Sequence, residues 1–189
     1  MLTREQRIRW MKYVGYEYSK EGILKMQKDW FPNKADHDGI YGPDTDALLR
    51  HLRNVKKYAP NFSPEEFRCG CGGRYCTGYP TRMKVIELKH LQEIRDHYKK
   101  PVEVTSGLRC KQFNSMLSGS SSQSRHKTGY ACDIYIKGVT DTLNGRKKLI
   151  KWLKKQPHHH WSYGNGWCSL GYAVSAPNMG NAVHTDTAR

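Results

Sequence analysis

The stretch Ser124-Arg125-His126-Lys127-Thr128-Gly129-Tyr130-Ala131-Cys132-Asp133 constrains this chain most. It sets a His and an Asp seven residues apart around a glycine and runs on into an alternating segment. Taken as a strand, Tyr130 to Ile136 sends Ala131, Asp133 and Tyr135 to one face and Cys132, Ile134 and Ile136 to the other. The second set is core. Asp133 therefore points to the open face, and His126 can fold back across the Gly129 turn to meet it. A C-terminal strand would likewise put Ala182, His184 and Asp186 on one face and Val183, Thr185 and Thr187 on the other. Two imidazoles and one carboxylate, His126, Asp133 and His184, make a good donor set for one catalytic zinc ion (Zn2+), with a fourth position left for water.

With 189 residues the chain has room for one ordinary domain, or for one of roughly 130 residues with a small module attached. No apolar run approaches the ~20 residues needed to cross a bilayer. The start, Met1-Leu2-Thr3-Arg4-Glu5-Gln6-Arg7, lacks the apolar core of a signal peptide, so synthesis in the cytoplasm is expected. A net charge of +15 points to an anionic partner: nucleic acid, an acidic membrane or an anionic wall polymer. The basic residues are spread along the whole chain rather than gathered on one helix or arm, which weighs against nucleic acid. Six cysteines would suit disulfides in a secreted protein; without an export signal, free thiols or metal ligation are the default. Cys69-Gly70-Cys71 followed by Cys76 could contribute to a second, structural zinc site, although the spacing is not that of two paired CxxC knuckles.

The pattern of elements predicts an α+β fold, a small antiparallel sheet with flanking helices preceded by a small three-helix module, with the boundary near residues 57 and 58. Thr3 and Gln6 form a capping box that opens a helix expected to reach Ser19. A second helix carries Ile23, Leu24, Gln27, Trp30 and Phe31 on one face, and Pro43 suits the first position of a third with Leu48, Leu49 and Leu52. Residues 54 to 80 read as a connector with one short helix at Ser63-Pro64-Glu65-Glu66. A helix over 81 to 99, a strand over 101 to 105, a helix from Thr142 to Lys155 and two C-terminal strands complete the expectation.

Asp36, Asp38 and Gly39 fit three positions of a calcium-binding EF-hand loop, but Lys34 and Thr45 occupy the positions that need strong ligands, so that reading fails. Gln27, Asp38, Gly39, Tyr41, Gly42 and Thr45, with their DGxxGxxT turn, instead resemble the peptidoglycan-binding module of cell-wall hydrolases over about residues 5 to 55.

From about residue 60 to 188, the SxHxxGxAxD motif at Ser124 to Asp133, the SGxR at Ser106 to Arg109 and the HxD at His184 to Asp186 resemble the zinc D-Ala-D-Ala carboxypeptidase and L-alanyl-D-glutamate endopeptidase family. That resemblance implies a zinc peptidase of bacterial peptidoglycan with His126, Asp133 and His184 as ligands. It implies Arg109 as the group that binds a substrate carboxylate or the oxyanion, and Ser124 and Tyr135 beside the substrate. Many relatives carry an acidic base three residues before the last zinc His, or a His two before it; here Asn181 and Ala182 stand there, and neither accepts a proton from water. Asp186 is left as base or as support for His184, with support favoured, and His158, His159 and His160 are further candidates. The layout resembles a phage endolysin, a monomer made in the cytoplasm and acting on the wall after release or outside the cell, with no nucleic-acid partner expected. The alternative is a catalytically silent zinc- and wall-binding protein of the same fold.

Overall fold

The computed structural model describes residues 1–187. Its first helix, α1 (Arg4–Val14), opens at the Thr3 capping box as expected but stops at Gly15 rather than near Ser19. Gly15 takes the left-handed conformation at φ 96° and returns its N–H to the α1 carbonyls, while Ser19 caps the next helix, α2 (Lys20–Trp30), with its hydroxyl. The third, α3 (Pro43–Tyr58), starts on Pro43, which has no N–H to lose at a helix start.

Between α2 and α3 the DGxxGxxT turn is closed from inside. The carboxamide of Gln27, 2% exposed, donates to Asp38 Oδ1 (2.8 Å), to the Ile40 carbonyl and to Thr45 Oγ1, and its oxygen accepts the Gly39 N–H at 2.7 Å. Tyr41 reaches Asp46 Oδ1 under the Arg7 guanidinium, and Gly42 stands at the N-cap of α3. The six residues thus have a structural task, since an unpaired amide so deep would cost about 1–3 kcal/mol.

Residues 54 to 80, expected as a connector, begin inside α3 and continue as a packed segment rather than a bare link. Phe62, Phe67, Cys69, Tyr79 and Met83 are buried in a core that runs without interruption from Leu2 and Met11, through Leu48 and Leu52, to Leu88, Ile134 and Leu153. The ring of His51 on α3 lies 5.7 Å from Phe67 and 5.1 Å from Tyr79. Composition misled because three aromatic anchors suffice to bury a loop.

The remaining elements are α4 (Val85–Tyr98), β1 (Glu103–Ser106), α5 (Lys111–Met116), β2 (Ala131–Tyr135), α6 (Leu143–Leu153), β3 (His159–Gly164), β4 (Trp167–Cys168) and β5 (Val183–Thr187). Five antiparallel strands form one sheet in the order β1-β2-β5-β3-β4, so the α+β expectation holds. Among the described residues three strands, not two, follow α6, although β4 is two residues long. The short α5 has no counterpart in the sequence reading; its N-cap acceptor is the sulfur of Cys110 rather than a hydroxyl or carboxylate. The apolar side of α4 covers the back of the sheet with Leu88, Leu91 and Ile94, and its Glu87 and His90 are buried on the same side, facing β5. The His90 ring meets Thr185 Oγ1 at 3.0 Å, which fixes the back face of β5.

Candidate metal centre

The front face of the sheet carries the alternation read from sequence. Asp133 on β2 pairs in register with His184 on β5, while Cys132 and Ile134 point into the core. Gly129, at φ 75°, turns the chain between His126 and β2, where a Cβ would stand 2.2 Å from the Arg82 carbonyl oxygen. On the other side of β2, a bulge in β1 between Val104 and Ser106 sets Ser106 opposite Asp133 and delivers the Arg109 loop to it.

Three donor atoms converge there. His184 Nδ1 lies 2.8 Å from Asp133 Oδ1, and His126 Nε2 lies 3.3 Å from both. All three side chains are buried or nearly so. The partner of each ligand fixes its orientation. His126 donates its Nδ1 proton to the Gly107 carbonyl at 2.7 Å, which leaves the Nε2 lone pair directed at the cluster. Arg109 Nη2 donates to Asp133 Oδ2 at 2.5 Å and its Nε to Ser106 Oγ at 2.9 Å, so one carboxylate oxygen is occupied and Oδ1 is left for the cluster. His184 Nε2 faces Asp186 Oδ2 at 3.4 Å.

Burial pushes His126 below its ordinary value and keeps it neutral. Burial opposes the charge of Asp133, but His126 and His184 outweigh it and hold this carboxyl well below the usual carboxylate range. Burial also opposes protonation of His184, yet its contacts with Asp133 and Asp186 raise it to about 9. A neutral imidazole, an ionised carboxylate and a second imidazole whose proton a cation would displace are the protonation pattern of a divalent metal site. With the three donor atoms within 4.8 Å of one another, the residues fit one zinc ion.

The cluster lies in a cavity of about 890 Å³, and Arg109, Ser124, Tyr135, Tyr163, Asn181 and Asp186 also reach its wall. Of the residues singled out in the sequence, His126, Asp133, His184, Arg109 and Asp186 come into direct contact with one another. Ser124 lines the wall, and Tyr135 stands at the rim with its hydroxyl donated to Asp141 at 2.6 Å. Asn181 is turned to a structural task, its amide oxygen accepting from Arg146 at 3.1 Å.

A model of the peptidase M15 family matches residues 60–160. The chain belongs to the peptidase M15 family. M15 peptidases are zinc-dependent, so this is a metallopeptidase chain, and the matched span takes in Arg109, His126 and Asp133. His184, Asp186 and the first three helices lie outside it. No curated protein and no solved structure matches the chain.

Sequence reasoning left His160 among several loop histidines and overlooked Arg125 altogether. Beside the donor cluster they form one chain: Arg125 Nη2 donates to His160 Nε2 at 3.1 Å, and His160 Nδ1 donates to Asp186 Oδ1 at 2.7 Å. Burial opposes ionisation of Asp186, but His184 and His160 hold it below its ordinary value. The irregular register of β3 between His159 and Trp161 sits beside this contact and leaves no trace in composition or period.

Proposed function

We propose that this M15 metallopeptidase is a peptidoglycan hydrolase in which His126, Asp133 and His184 hold one catalytic zinc ion and an amide bond of the stem peptide is cut. The convergence of the three donor atoms, each oriented by its own partner at the bottom of the cavity, is the observation that supports this reading most. Bound zinc supplies Lewis acidity, polarising a scissile carbonyl and acidifying water.

The protein's own groups do the rest. Gly107 fixes the His126 tautomer, and Arg109 turns Asp133 so that only Oδ1 faces the site. The Nη1 edge of Arg109 is left to orient a substrate carboxylate or the developing oxyanion, a task that suits a planar, permanently charged fork. Asp186, held between His184, His160 and Arg125, supports the His184 ligand rather than acting as the base. With Asn181 committed to Arg146 and Ala182 without a titratable group, neither position can take a proton from water, and a solvent base would have to accept it.

The net charge of +15 favours encounter with stem-peptide carboxylates and anionic wall polymers. Residues 1–57 would contribute wall binding through the unit built on Gln27, Asp38, Gly39, Tyr41, Gly42 and Thr45. Synthesis in the cytoplasm followed by phage-type release is the setting that goes with this reading. The test is loss of turbidity of a peptidoglycan suspension with and without chelator, followed by mass spectrometry of the released peptides. Binding without solubilisation, unchanged by chelator, would reject the enzyme reading in favour of a silent wall-binding protein.

A further inference from the structure

Away from the catalytic cavity a second group of donors converges. Cys69, Cys71 and Cys76 lie on the loop after the short helical turn Pro64–Phe67, and Cys110 follows Arg109 at the start of α5. Their four sulfurs lie within 4.8 Å of one another, and those of Cys71 and Cys76 are 3.5 Å apart. A tetrahedral zinc–thiolate centre with Zn–S of about 2.3 Å requires S···S separations of about 3.8 Å, which falls between those two values. The other two cysteines, Cys132 and Cys168, are buried and belong to no such group among the described residues.

The sulfurs also have the environment that metal-bound thiolates need. The backbone N–H of Cys110 donates to Cys69 Sγ at 3.3 Å, and that of Phe113 donates to Cys110 Sγ at 3.4 Å. In sequence Arg68, Arg74 and Lys111 stand within two residues of these cysteines, while the guanidinium of Arg109, next to Cys110, is taken up by Asp133. The loop has little regular structure of its own, yet Cys69 is fully buried and Asn33 of the helical part donates to the Gly73 carbonyl at 2.8 Å. A loop so rich in glycine is a segment that a metal would order.

We propose that Cys69, Cys71, Cys76 and Cys110 bind a second, structural zinc ion that clamps the 69–76 loop to the Arg109 loop. Binding takes up one Zn2+ and releases the four thiol protons, with no change in oxidation state. The clamp fixes the residue next to Arg109, and so the arginine that orients Asp133. It shares no ligand with the catalytic donors, so the two sites can be counted separately.

The measurement is metal content of the purified full chain by elemental analysis, together with cobalt substitution. The wild type is expected to hold two zinc ions per chain. His126→Ala, Asp133→Ala should hold one, and its cobalt form should show strong sulfur-to-cobalt charge-transfer absorption. Cys71→Ser, Cys76→Ser changes the two half-buried ligands and should also hold one ion, without that absorption. A cobalt form of the His126→Ala, Asp133→Ala variant that lacks sulfur charge transfer would overturn the proposal even if the cysteine variant fails to fold. So would a wild-type chain whose unreduced mass is short by two hydrogens for each bridge among these four cysteines.

Discussion

Replacing Asp186 with Asn separates the two roles open to this carboxylate. In the structure Asp186 touches His184 Nε2 at 3.4 Å, His160 Nδ1 at 2.7 Å and Arg125 Nε at 3.7 Å. A hydrogen bond to a charged partner contributes about 1.5–3 kcal/mol. The 3.4 Å contact is longer than an ordinary N–H···O bond, so the lower end applies to His184. Losing about 1.4 kcal/mol of support for a ligand corresponds to about a tenfold weaker affinity, at the mild end of the range for changes behind a metal ligand. The expected result for Asp186→Asn is therefore zinc binding about tenfold weaker by competition with a chromophoric chelator, with turnover at saturating zinc within a few-fold of the wild type. A general base would behave oppositely: zinc affinity intact and turnover down by about 10²–10⁴. That second pattern would refute the supporting role.

Five further substitutions test other parts of the account. His126→Ala or His184→Ala should lose catalytic zinc and peptidase activity together, whereas Asn181→Asp should keep zinc bound, as read by metal analysis beside the activity assay. Burial lowers His51 to about 4, with the Pro64 carbonyl accepting from its Nε2 at 3.0 Å. The unfolded chain thus binds this proton first, and His51 contributes stability above pH ~6.5 that is lost as pH falls towards ~4, about 3 kcal/mol in all. Urea unfolding at neutral and acid pH should show a smaller acid loss in His51→Asn than in the wild type; equal losses would contradict the assignment. Gln27→Ala should lower stability by about 2–3 kcal/mol through the unpaired groups it leaves in the turn. The urea midpoint should fall with a single transition, whereas a separate early transition would mean that the helical part unfolds by itself.

Strand periodicity made the front and back of β2 and β5 legible, because a one-residue error would have put Ile134 in solvent and Asp133 in the core. Helix starts were legible where a side chain makes the cap, as at Thr3 and Thr142. The end of α1 was missed because Gly15, a left-handed helix terminator, was read as part of the helix, and α5 because a cysteine sulfur caps it. The donor triad could be read from its motif. The partners that orient it could not: Gly107 acts through a carbonyl that every residue possesses, and His160 reaches Asp186 only through the irregular register of β3. The fourth sulfur beside Cys69, Cys71 and Cys76 was hidden for a similar reason, since Cys110 is remote in sequence and arrives through tertiary packing.

The ring contacts of His51 with Phe67 and Tyr79 belong to one apolar core that continues from the helical part to the peptidase sheet. If the helices grip a polymer, the cavity then meets that polymer at one height and one angle, like a blade fixed to its handle. The bonds within reach of an anchored molecule would be set by shape instead of by the length of a leash. Each landing would cut at a defined offset, and further cuts would require the whole molecule to let go and land again.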